Sequence, residues 1–300
     1  MNSAPALSEE LPSAWPDAVS GYLRSKYGVP ALVEPLNGMS GGSVWRVHVP
    51  NRTLVVKRPA HHREVFFYET VAPRLRARGV NLPELEWSAH FPDSSWVLTE
   101  DIAKPLPRFR WLADRQALAM LHTLHETLIE DAAGLPEYFR PQWSDAMTEK
   151  ALSFLPTSAA KTLDTLLHRV QEASQPLFNP SGLISGDPNP ANWGMREDGT
   201  LVLYDWERCG LGKPALDLGI TIPWLGNQGT FDLVAQTYLQ KGAARAIRAL
   251  SEEIAIAKVR SVVEFMAEFV DGVAQIQPAH IDQLGKEFQA WLADEIGSVF

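Results

Sequence analysis

Ser185-Gly186-Asp187-Pro188-Asn189-Pro190-Ala191-Asn192-Trp193-Gly194, followed after a short polar stretch by Leu201-Val202-Leu203-Tyr204-Asp205-Trp206-Glu207, sets three oxygen-bearing side chains at telling intervals. Asn192 lies five residues after Asp187. Gly199-Thr200 offers a hairpin turn, and Leu201–Tyr204 reads as a short strand that delivers Asp205. In phosphoryl-transfer sites of the kinase type, one Asp takes the proton of the attacking hydroxyl, and an Asn five residues on holds a metal ion. A second Asp, after a strand, holds the metals that bridge the nucleotide phosphates. Singly, each residue could equally form an Asx turn or a helix cap. Three in register point to ATP and Mg²⁺, with Asp187 as catalytic base and Asn192 and Asp205 as hard oxygen ligands.

Upstream residues supply what such a site needs for phosphates. The loop Asn37-Gly38-Met39-Ser40-Gly41-Gly42-Ser43-Val44 lies between two strand candidates, and Gly41, Gly42 and Ser43 could bring backbone N–H groups close to an anion. An ordinary hairpin turn competes with that reading. Lys57 ends the apolar run Leu54-Val55-Val56, where a cation can reach the α- and β-phosphates; an aggregation-blunting lysine on an edge strand is the alternative. Its carboxylate partner is expected from Glu64 or Glu69, with Glu64 preferred because Phe67 and Tyr68 would anchor the helix one turn on. Thr99 and Asp101, in Trp96-Val97-Leu98-Thr99-Glu100-Asp101, are the candidates for backbone contacts to adenine, and a plain edge strand would read the same way.

Around these motifs the chain changes character. Pro16–Tyr27 has helical spacing; Ala31–Leu36, Ser43–Val49 and Thr53–Lys57 read as strands, the second with Trp45, Val47 and Val49 on one face. Glu64–Arg78 reads as a helix that Pro73 should kink or divide. Trp87–Ala89 and Trp96–Glu100 are further strands. Beyond Trp111, helical periodicity covers Leu112–Glu130, Ser144–Leu155, Ala159–Gln171, Phe231–Gln240, Ala243–Phe269 and His280–Ile296, interrupted by two short strands around Asp187 and Asp205. The expected organisation is a nucleotide-binding lobe over residues 1–101, a hinge at 102–110 containing Pro105 and Pro107, and a helical lobe over 111–300 that carries the catalytic loop and acceptor pocket.

Composition bounds the rest. Three hundred residues, 45% hydrophobic, suit two lobes with an ordinary core. The lone Cys209 excludes an internal disulfide and fits a reducing compartment. Met1–Glu10 lacks a basic start and an apolar run, and no segment reaches membrane-spanning length, so a cytoplasmic protein without a membrane partner is expected. The net charge is −9: the chain up to Lys104 holds 11 basic and 11 acidic residues, and the remainder 16 and 25. An acidic surplus confined to the second part disfavours nucleic acid. It is compatible with a cationic substrate, and equally with mere solubility.

Several residues admit two readings. Trp193, Trp206 and Trp224 could cage a quaternary ammonium, or Trp206 could pack behind Asp205 while Trp193 fills the core. Glu264, Glu268 and Asp271 could face a cationic acceptor or form the wet side of a helix whose core side is Val262, Phe265, Met266 and Phe269. Glu207 could touch a second metal or the substrate, or be a solvated neighbour of Asp205. Asp217 is expected to brace the catalytic loop. Of His122 and His125, a buried, hydrogen-bonded His122 is expected rather than a metal pair.

With these residues in view, the chain resembles the aminoglycoside phosphotransferase and choline kinase group from about Val33 to about Tyr238. The resemblance rests on Gly186-Asp187-x4-Asn192, Asp205-Trp206-Glu207, Pro214-Ala215-x-Asp217-Leu218, Arg63-Glu64-x-x-Phe67-Tyr68 and Ala119-x-Leu121-His122. It implies an α+β, two-lobed protein-kinase-like fold, with a small antiparallel-sheet N-lobe and a mainly helical C-lobe. The implied activity is transfer of the γ-phosphoryl of ATP to a hydroxyl of a small molecule. The acceptor is open among aminoglycosides, choline or ethanolamine, and sugars or other metabolites, as are ATP against GTP and monomer against homodimer. A catalytically silent nucleotide-binding regulator is the alternative of another class. One position departs from the group: Ser185 stands where a loop-bracing His is usual.

Overall fold

The computed structural model describes residues 11–36, 43–127, 138–155, 157–240, 243–270 and 278–297. Gly41, Gly42 and Asp271 lie outside them. The N-terminal part is a five-stranded antiparallel sheet in the order β1-β2-β3-β5-β4, with β1 at Leu32–Leu36, β2 at Ser43–Val49, β3 at Arg52–Arg58, β4 at Leu85–Phe91 and β5 at Ser94–Glu100. Alternation in β2 turns Val47 and Val49 inward, and α1 (Asp17–Tyr27) covers that face through Val19 and Leu23. Trp15, Trp45 and Trp96 meet there, with Trp45 stacked on Trp96 at 5.7 Å. Because β3 lies between β2 and β5, Lys57 is no edge-strand residue.

The helix after β3 departs from expectation at its middle. α2 (Arg63–Phe66) passes through a π turn at Phe67–Val71 into α3 (Ala72–Ala77), where Pro73 falls in the first turn. The wider π turn leaves the missing N–H of Pro73 without a bond to break, so the helix continues instead of dividing.

Beyond β5 the chain pairs β6 (Lys104–Pro105) with β8 (Trp193–Met195), and β8 with β9 (Leu201–Leu203). α4 begins at Arg115, not at Leu112, because Ala113 adopts φ +51° and Asp114 caps the helix, its carboxylate accepting from Gln116 N and Ala117 N at 3.0 Å each. α4 runs to His125. Then come α5 (Asp145–Ser153), α6 (Thr157–Ser174), β7 (Gly182–Ile184), β10 (Gly210–Gly212), α7 (Pro214–Ile220), α8 (Gln228–Leu239), α9 (Ala244–Val270) and α10 (Pro278–Trp291). Helix α7 is an addition to the sequence reading, and the strands around the catalytic motif are four short ones, β7 to β10.

Two cores result. The smaller lies between α1 and the sheet. The larger runs from Val65, Phe67 and Leu75 through Val97 to the C-terminal helices, so it crosses from the sheet lobe into the helical one. Arg196 strengthens that junction: it reaches both oxygens of Glu100 at 2.7 Å and donates to Leu82 O.

Candidate active site

Between the lobes lies a cleft of about 640 Å³ whose lining includes Val44, Lys57, Asp187, Asp205, Glu207 and Glu264. Strand β3 brings Lys57 to its wall, almost fully buried. Lys57 Nζ stands 2.7 Å from Glu64 Oε2, 2.8 Å from Asp205 Oδ1 and 3.7 Å from Glu207 Oε2. Burial opposes the lysine charge, but the three carboxylates outweigh it and hold its pKa above the ordinary lysine value. Between the two glutamates that competed for this role, the fold selects Glu64; Glu69 instead accepts from Ser88 and meets His90.

Asp205 sits in the left-handed region, φ +65°, which Asp tolerates better than most residues. Trp206 behind it is fully buried, stacked on Phe67 at 4.6 Å, with its indole N–H on Leu203 O. That packing turns Asp205 and Glu207 to the same side. Glu64, Asp205 and Glu207 each place a carboxylate oxygen within 4.8 Å of the others, and Glu207 Oε2 is buried without a hydrogen bond.

The loop carrying Asp187 is fixed from behind. Gly186 has φ +80°, and a Cβ there would lie 2.0 Å from Arg208 O, so only glycine fits. The fully buried Asp217, from α7, accepts from Ser185 N at 2.8 Å and Gly186 N at 2.9 Å. His125 Nε2 lies 3.1 Å from the same carboxylate, and its Nδ1 is 2.9 Å from Tyr238 Oη. The buried, hydrogen-bonded histidine is therefore His125; His122 is only half-buried against Tyr238, which corrects the expectation. Ser185 is held through its backbone, and its hydroxyl has no partner.

Asn192 Nδ2 donates to Asp187 O at 2.9 Å and Asp187 Oδ2 at 3.1 Å, which leaves its amide oxygen available. Desolvation raises the Asp187 pKa to about 6, with Asp205 and Asp217 adding to the rise and Arg208 and Asn192 opposing it. Ser43 opens β2 opposite Arg58, and Val44 lines the cleft. Thr99 lies inside the sheet, paired with Val55 on one side and Leu85 on the other. The carboxylate of Asp101 is taken by Arg46 at 2.7 Å and Thr53 at 2.6 Å, just before residues that belong to no strand.

On the side of α9 the glutamate stripe is balanced by arginines that the sequence reading passed over. Glu264 lies 2.6 Å from both Arg208 and Arg260, and Glu268 lies 3.9 Å from Arg208. Trp224 is 61% exposed, lines the cleft and holds φ +59°. Trp193 is buried in the core. Lys258, also missed, lines the cleft from within α9. Its signal was a lone lysine in the apolar run Ile254-Ala255-Ile256-Ala257-Lys258-Val259. Arg208 could have been noticed from its place directly after Asp205-Trp206-Glu207.

The sequence profile of the phosphotransferase enzyme family matches residues 33–252. The chain belongs to that family. A search of curated proteins gives no match. Among solved structures, this phosphotransferase resembles spectinomycin phosphotransferase APH(9)-Ia, crystallised with ADP and spectinomycin, at 14% identity and TM-score 0.60, over 92% of this chain and 95% of that one. It also resembles a choline/ethanolamine kinase family protein from Mesorhizobium loti, at 18% identity and TM-score 0.61, over 94% and 96% of the two chains. A thermostable aminoglycoside phosphotransferase APH(4)-Ia, in complex with AMP-PNP and hygromycin B, aligns at 13% identity and TM-score 0.60, covering 92% of this chain and 99% of that one. At such identities the likeness establishes the kinase-like, α+β fold, and the family establishes a small-molecule kinase. No helix among the described residues is long and apolar enough to cross a membrane.

Proposed function

We propose that this phosphotransferase moves the γ-phosphoryl group of ATP to a hydroxyl of a small molecule, with Asp187 as the base. The observation that carries the reading is the shared cleft: Lys57, tied to Glu64, and the Asp187 loop, tied to Asp217, line one cavity. Structural neighbours solved with ADP or AMP-PNP support a nucleotide there. Lys57 would pair with phosphate oxygens, and residues after Glu100 would present backbone to the base. Ser43, which opens β2 beside the cleft-lining Val44, would approach the phosphates.

The donor set fits magnesium. Asp205 and the amide oxygen of Asn192 are hard oxygen ligands, and Glu207 Oε2, which accepts no hydrogen bond, suits a contact through water. Bound there, the ion would neutralise charge on the phosphates. The chain's own residues do the rest. Asp187, oriented by Asn192, accepts the proton as the acceptor oxygen bonds to the γ-phosphorus and the bond to the bridging oxygen breaks, releasing ADP. Positioning and electrostatics carry most of the acceleration.

Asp187→Ala should still bind an ATP analogue while phosphoryl transfer falls by about a thousandfold or more, the scale of a lost general base with its positioning. Binding measured by calorimetry and turnover by ADP release test this. Nucleotide binding by the unaltered protein with no turnover of any acceptor would leave a regulator in place of the enzyme.

A further inference from the structure

The wall of the cleft formed by α9 contains a cation with no counter-charge among the described residues. Lys258 is 6% exposed, and its Nζ donates to one group, Ile222 O, at 2.7 Å. An ammonium has three donors. Among the described residues no carboxylate pairs with it, whereas Glu264 and Glu268 nearby are matched by Arg208 and Arg260. Burial unopposed by any carboxylate lowers its pKa to about 8, the reverse of Lys57. A buried charge without a partner costs stability. Ile220, Leu225, Val262 and Phe265 add apolar surface to the same cleft.

Resting on the phosphotransfer reading above, we propose that the acceptor is a hydroxy acid, with its carboxylate paired to Lys258 and its hydroxyl presented to Asp187. One ammonium in apolar surroundings balances one negative charge; a phosphate dianion would call for the several donors of an arginine cluster. The acidic surplus of the helical lobe therefore does not set the polarity of the acceptor site. Of its cleft-lining glutamates, Glu264 and Glu268 are already occupied by arginines, and Glu207 lies beside Lys57. In the reaction the hydroxyl oxygen bonds to the γ-phosphorus, ADP departs with the electron pair of the broken bridge bond, and the hydroxyl proton passes to Asp187.

The competing role for Lys258 is a purely structural one, closing the end of α7 through Ile222 O, and the test separates the two. Hydroxybutyrate and gluconate are assayed beside their amides and their amino-alcohol counterparts, with kanamycin and choline as cationic probes. The acids should exceed their amides in kcat/KM by about a hundredfold, because a site built for a charge rejects the analogue lacking it. Lys258→Gln can still donate to Ile222 O but carries no charge. It should raise KM for the acid about tenfold or more, abolish the preference over the amide and leave the melting temperature near that of the parent. Lys258→Met should do the same to KM, with nucleotide binding as the control for folding. Preference for an amino alcohol or kanamycin by an active enzyme would overturn this assignment and leave the kinase reading intact. Equal losses for acid and amide in Lys258→Gln would reduce Lys258 to a structural residue. Failure of ATP to bind at all would instead count against the phosphotransfer reading.

Discussion

Asp187 is a carboxylate placed where ionising is difficult. Its surroundings strip water from it and two further aspartates lie near, so its pKa rises to about 6, while Arg208 and Asn192 restrain the rise. A base must be deprotonated to act. Above pH 6 the carboxylate is ionised and the site is competent; as pH falls through about 6 the base is lost. The profile of kcat/KM, which reports the free enzyme, should therefore show an acid limb near pH 6, not near the ordinary aspartate value of about 4. Arg208→Met should move that limb upward, since a cation that favours the charged form has been removed. Steady-state kinetics across pH measure both, and a limb at or below pH 4 would contradict the electrostatic picture. The three oxygen-bearing side chains were legible because the motif lies within one short stretch of chain. Arg208 and Lys258 were not: their roles depend on which face of α9 meets α7, and Gly219 permits that close approach, a Cβ there falling 2.9 Å from Lys258 N.

At the scale of elements, the short helix α7 does work that its length does not advertise. It places Asp217 where three donors converge: Ser185 N, Gly186 N and His125 Nε2. Asp217→Ala would leave two buried backbone N–H groups unpaired at about 1–3 kcal/mol each, so a loss of about 2–6 kcal/mol is expected. Denaturant unfolding measures the loss, and kcat should fall with it because the Asp187 loop is no longer held. Unchanged stability would mean that water satisfies those groups and that the brace is unimportant. Strand β2 was readable because alternation over seven residues is a local signal, and β3 because the apolar run Leu54-Val55-Val56 is one too. Helix α7 was missed because seven residues, begun by Pro214, give too little periodicity. The start of α4 was misplaced by the left-handed Ala113, a conformation that its side chain does not announce. The π turn at Phe67–Val71 was invisible for a similar reason. Apolar spacing there fits both helix types, and only the packing of Phe67 on Trp206 tells them apart.

At the scale of the molecule, the larger core decides how the two lobes respond to ligand. Since it runs from α2 and α3 into the helical lobe, with Arg196 and Glu100 joining the two beside it, the lobes should unfold together. Ligand bound only to the folded state adds RT ln(1 + [L]/Kd), about 2.7 kcal/mol at a hundredfold excess over Kd. For a chain of 300 residues, with about 2.1 cal/mol/K of unfolding entropy per residue, that raises the melting temperature by about 4 °C. Calorimetry with Mg²⁺ and a non-hydrolysable ATP analogue should show one transition displaced by that amount. The paired variant Lys57→Met with Glu64→Gln, which removes the most buried carboxylate together with its cation and leaves Asp205 and Glu207 to the added Mg²⁺, should fold yet lose most of the displacement. A second transition that the nucleotide leaves untouched would mean that the lobes melt separately despite the shared core. An undiminished displacement in the variant would mean that the nucleotide binds away from Lys57.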